Sequence, residues 1–189
     1  PSRSTDPTPS SGDTIRVAAE ALSSGGAPLS GANVSLIVTS RSDGSFSGGT
    51  LPVNIFFVGE IGDDSSVRQI VDLALSEFRS IYSSQMGIGL DVRTFDLDGP
   101  LLLPSPFEGS ALYESASNAA GGLGVNILIG GDIQGSEGEV LGVAGGIIAP
   151  PIPSRRSGLA ISIFTGAGPD GSYSDLDIRV LGETLAHEV

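Results

Sequence analysis

His187 is the only histidine in the chain, and Glu188 follows it directly. Both fall at the end of a helical stretch that closes Leu185-Ala186-His187-Glu188-Val189. Histidine followed by glutamate on a helix is the first half of an H-E-x-x-H site. Residues four apart share a helical face, so two imidazoles at that spacing can hold one zinc ion while the glutamate serves as general base. The chemistry this pattern predicts is hydrolysis by a metal-activated water. The second histidine of such a motif would fall beyond Val189. The remaining zinc ligands are therefore expected outside this chain, and the chain by itself is expected to be inactive.

Other polar clusters carry simpler readings beside their chemical ones. Asp170-Gly171-Ser172-Tyr173-Ser174 has the D-x-S-x-S spacing of an adhesion-type divalent-ion site, but it also reads as a turn followed by a helix cap. Asp63-Asp64-Ser65-Ser66 offers clustered oxygens that would suit calcium, and equally an acidic cap for the next helix. Gly121-Gly122-Leu123-Gly124 precedes a strand instead of opening a helix, the wrong setting for a phosphate cradle. Arg155-Arg156 is a small basic spot in a loop. Glu183 lies one turn before His187, within reach of a hydrogen bond to it or on a solvated face.

The elements that must position these residues are legible in the hydrophobic pattern. Residues 1–12 are rich in Pro, Ser and Thr and read as a linker. Residues 13–50 read as a short β-rich segment, the end of a preceding module or a pro-segment, with Ala32 to Val38 alternating as a half-buried strand does. Val53 to Val58 is an apolar run suited to a buried strand. Ser65 or Ser66 would cap a helix to about Ser83, with Val67, Ile70, Val71, Ala74, Leu75, Phe78, Ile81 and Tyr82 on one face. Leu90–Phe95 reads as the next strand, Ala111–Ala119 as a short helix, and Val125–Ile129, Leu141–Ile148 and Gly158–Phe164 as three more strands. The glycines of Leu141–Ile148 place it at a sheet edge. A last helix starts at Ser174, with Asp175 and Asp177 where the helix dipole favours acids.

Composition narrows the partners. With 189 residues the chain can hold one domain and a modest extra segment. Its net charge of -13 disfavours nucleic acid and anionic membrane surfaces. No apolar run reaches the length of a membrane span. The absence of cysteine removes disulfides and thiolate metal sites.

The order strand, helix, strand, long connection, three strands, helix, ending in Thr184-Leu185-Ala186-His187-Glu188-Val189, resembles the N-terminal half of a metzincin zinc peptidase, with the bacterial and pappalysin-like branches nearest. The likeness covers roughly residues 51–189. It implies an α/β (α+β) fold with a mixed, mostly parallel five-stranded sheet, a backing helix, and an active-site helix cut short. It further implies that His187 is a zinc ligand, that Glu188 is the catalytic base, and that Val143, Ala144 and Gly145 bind an extended protein or peptide substrate along an antiparallel edge strand. In that family zinc lowers the pKa of its bound water to about 7, and the protein is expected to be extracellular. The expected alternative is a non-enzymatic surface module in which Asp170, Ser172 and Ser174 converge on a divalent ion.

Overall fold

Six consecutive residues, Val53 to Val58, are all buried, which a strand achieves only when both of its faces are covered. In the computed structural model, which describes residues 49–121, 124–136, 140–145, 154–168 and 170–189, this run is the heart of β1 (Gly49–Val58). The linker expected over 1–12 and the β-rich segment expected after it lie outside the described residues, apart from Gly49 and Thr50, which open β1.

A 3-10 turn (Gly59–Asp63) leads into α1 (Ser65–Met86). The cap of α1 is Asp64, whose carboxylate accepts from the Ser66 N–H at 2.8 Å, and not Ser65 or Ser66 as the sequence suggested. Aspartate and serine cap about equally well, so composition alone does not choose between neighbours. The helix runs three residues past Ser83 and stops at Gly87, whose φ of 64° is the left-handed conformation favoured at that position. The chain continues as β2 (Ile88–Leu97), β3 (Leu102–Leu103), α2 (Ala111–Ala119), β4 (Val125–Gly130) and β5 (Asp132–Ile133). β6 (Gly142–Ala144), β7 (Leu159–Ser162), the single-turn α3 (Ile163–Gly166) and α4 (Asp175–Glu188) complete it.

The fold is mixed α/β. Five strands form one sheet in the order β2-β1-β4-β7-β6, parallel throughout except for β6, which runs antiparallel to β7 at the edge. β3 and β5 pair separately as a small parallel ribbon. Of the edge strand expected over 141–148, residues 142–144 are β6, and 146–148 lie outside the described residues. The strand expected to reach Phe164 ends at Ser162 instead. The Ser162 hydroxyl accepts from the Thr165 N–H at 3.1 Å and starts α3, a cap that an apolar run conceals.

Alternation sorts the core into two layers. Val53, Ile55 and Phe57 of β1, Ile127 and Ile129 of β4, and Leu159 and Ile161 of β7 face α1 and α4. Phe56, Val58, Leu128 and Ala160 face the other way, onto Tyr113 and Ala116 of α2. Within the sheet, Asn54 and Asn126 are buried side by side, the Asn54 amide donating to Asn126 Oδ1 at 3.0 Å.

α4 is seated against α1 at Gly182. A Cβ at that position would lie 2.7 Å from the Ala74 carbonyl oxygen and 2.6 Å from Glu77 Cβ, so only glycine lets the helices meet so closely. A residue that looks like a weak point in the helix is its contact with the sheet's backing layer.

Candidate functional site

α4 is held at its start by reciprocal bonds. The Ser174 hydroxyl accepts from the Asp177 N–H at 3.3 Å, and Asp177 Oδ2 accepts from the Ser174 N–H at 2.9 Å, a capping box. The Ser174 hydroxyl, donating to Asp177 Oδ2 at 2.7 Å, and the Ser174 N–H hold the Asp177 carboxyl below the usual carboxylate range. Tyr173 fastens the preceding residue, its hydroxyl donating to the Ile163 carbonyl. Leu181 and Leu185 then anchor α4 in the core.

Helical periodicity carries Val180, Glu183, Thr184 and His187 to a second face, turned from the core. Together with Glu188 they form one wall of a cleft of about 400 Å³, whose opposite wall is Val140, Leu141 and Gly142. The cleft therefore lies between the last turns of α4 and the start of the antiparallel edge strand. His187 is exposed and Glu188 half-buried. Gly142 sets the approach of the two walls. A Cβ there would fall 2.9 Å from Thr184 Cγ2 and 3.1 Å from Glu188 Cγ.

His187 and Glu188 are thus brought together with the edge strand. Val143 and Ala144 lie on that strand and Gly145 directly after it, all half-buried, but the cleft itself is lined by the residues just before them. Among the described residues β6 has a sheet partner on one side only and is the edge of the sheet there. The sequence places Leu141 and Gly142 on the expected edge strand but does not single out Val140, Val180 or Thr184. Stepping back along α4 from His187 by three and seven residues finds Thr184 and Val180. That Gly142 lies against Thr184 and Glu188 carries no sequence signal, because it depends on the packing of α4 across the sheet.

Glu183 is engaged elsewhere, its Oε1 accepting from Arg179 Nε at 3.0 Å, an exposed pair one helical turn apart. Among the described residues no group of three or more His, Asp or Glu side chains gathers into a metal site. The described residues thus offer one imidazole and do not complete a zinc site. The other polar clusters are occupied locally. Asp170 Oδ1 accepts from the Ser172 N–H at 3.0 Å and the Ser172 hydroxyl at 2.7 Å, bonds that hold its carboxyl below the usual range. Ser174 is the cap of α4 and Asp64 the cap of α1. The turn-and-cap reading accounts for each of these.

No helix among the described residues is long and apolar enough to cross a membrane. Comparison with known protein families and with curated proteins finds no match to this chain.

Proposed function

We propose that the chain is part of a zinc-dependent endopeptidase of metzincin type, secreted by its cell. One observation carries the reading. The histidine-glutamate pair and an antiparallel edge strand, far apart in sequence, wall the same cleft. In this reading β6 takes an extended protein or peptide substrate by strand addition, Glu188 is the general base, and His187 supplies one zinc ligand. The other ligands would come from outside the described residues, which by themselves are expected neither to hold zinc at one equivalent nor to cleave peptide bonds.

The test is the reading frame after Val189 and the protein it encodes. A histidine four residues after His187 supports the assignment, and any other residue there removes it. In the protein so encoded, Glu188→Gln should lower peptide hydrolysis at least about 100-fold, the low end for losing a general base, with zinc content unchanged. Hydrolysis that survives the substitution would refute the role of Glu188.

A further inference from the structure

Arg155 and Arg156 are the only adjacent cations in a chain with 9 basic and 22 acidic side chains. Both are exposed. Arg68, Arg93 and Arg179 each pair with a carboxylate, whereas neither Arg155 nor Arg156 makes an ion pair among the described residues. With Arg79, they are the exposed arginines that make no ion pair among the described residues, and they alone stand side by side.

Their position gives them a use. The Arg155 carbonyl accepts from the Ser110 N–H at 2.7 Å, and the Arg156 carbonyl from the Gly158 N–H at 3.1 Å. The Gly145 N–H donates to the Gly158 carbonyl at 3.2 Å, joining this turn to the end of β6. A Cβ on Gly145 would lie 2.8 Å from the Arg156 carbonyl oxygen and 3.1 Å from Pro106 Cβ. Gly109, at φ 75°, lets the neighbouring turn lie against the arginine stems, since a Cβ there would be 3.3 Å from Arg156 Cγ. That turn also carries Phe107, which is 60% exposed. One end of β6 therefore faces the His187–Glu188 cleft, and the other abuts an arginine pair beside an exposed ring.

We infer that the Arg155–Arg156 turn is a specificity subsite that selects acidic side chains in an extended peptide. The inference rests on the strand addition to β6 proposed above. A strand advances about 3.4 Å per residue, so a peptide antiparallel to β6 travels about 10 Å between the positions facing Gly142 and Gly145. A carboxylate three residues from the one at the cleft reaches the two guanidinium groups, whose planar forks match carboxylate geometry. Elsewhere the net charge of -13 opposes such a peptide, which confines the preference to positions that reach this turn.

The experiment is fluorescence anisotropy on the full chain with two labelled ten-residue peptides of extended propensity. They differ only in carrying Glu-Asp or Gln-Asn at one end. The acidic peptide is expected to bind about fivefold more tightly in roughly 50 mM salt, and the difference to close near 500 mM. R155Q/R156Q should abolish the difference and leave the affinity for the neutral peptide unchanged. Equal affinities, a preference that survives in R155Q/R156Q, or no binding of either peptide would each overturn the inference. Hydrolysis plays no part in the readout. An acidic preference without any peptidase activity in the longer protein keeps the subsite and sinks the peptidase, and hydrolysis without the preference does the reverse.

Discussion

Replacing Gly182 by alanine should destabilise the domain, although the same change in an exposed helix would favour folding by about 1 kcal/mol. The reason is the distance between helices. The added methyl would sit 2.7 Å from the Ala74 carbonyl oxygen and 2.6 Å from Glu77 Cβ, both well inside ordinary contact. The carbonyl belongs to the backbone of α1 and cannot rotate away. α4 must therefore withdraw by roughly 0.5–1 Å, a gap that forfeits a quarter to a half of each dispersion contact it opens. The contacts at risk are those of Leu181 and Leu185 with Val71, Ala74, Leu75 and Phe78, all buried in one cluster. Overpacking of this kind costs about 1–3 kcal/mol. Set against the propensity gain, a net loss of up to about 2 kcal/mol is expected. Urea unfolding followed by circular dichroism at 222 nm measures it, with Ser80→Ala on the exposed side of α1 as the control for propensity. A G182A midpoint above that of the parent would show that the helices are not in contact at this position, and the reasoning would fail.

Asn54→Leu should cost about 1–3 kcal/mol, because it leaves the buried Asn126 carbonyl oxygen without the amide that serves it at 3.0 Å. The double change Asn54→Leu with Asn126→Leu should cost less than the sum of the two single changes, and full additivity in urea unfolding would argue against a coupled pair. Burial pushes the Tyr113 and Tyr173 hydroxyls above the usual tyrosine range, and Asp177 adds to the effect at Tyr173. The folded state then holds these protons more tightly than the unfolded chain, whose tyrosines ionise near about 10. Their contribution is whole below that pH and is lost as pH rises through the raised folded values. Tyr173→Phe should flatten the alkaline fall in stability, and an unchanged slope above about pH 10 would refute the assignment.

What could be read from the sequence was whatever local pattern decides. The run Val53–Val58 announced a strand covered on both faces, and the three-to-four spacing through Val71, Leu75, Phe78 and Tyr82 announced α1 and its buried face. Ser174 followed by Asp177 marked the start of α4. The glycines after Leu141 pointed to an edge, and β6 is one. What escaped depended on groups distant in the chain. Ser162 turns the chain into α3 through a hydroxyl that also donates to the Gly131 carbonyl at 3.0 Å, an interaction between β7 and the segment after β4. Gly182 is by propensity alone a weak helix residue, and only α1 beside it explains the glycine. The cleft wall at Gly142 needed both the sheet order and the seat of α4, neither of which a local pattern encodes.

The paired amides of β1 and β4 also guard against misalignment during assembly. Asn54 lies opposite Asn126, flanked by Val53 opposite Val125 and Ile55 opposite Ile127. Two parallel strands this apolar could slide by one step and still bury hydrocarbon. A slide of one residue, however, sends the two amides to opposite faces of the sheet, each among aliphatic and aromatic side chains with its partner gone. At about 1–3 kcal/mol for each stranded polar group, the shifted pairing is disfavoured by several kcal/mol. The asparagines thus act on the competing alignments more than on the native one. A leucine pair in their place would leave a stable sheet with less reason to choose a single alignment.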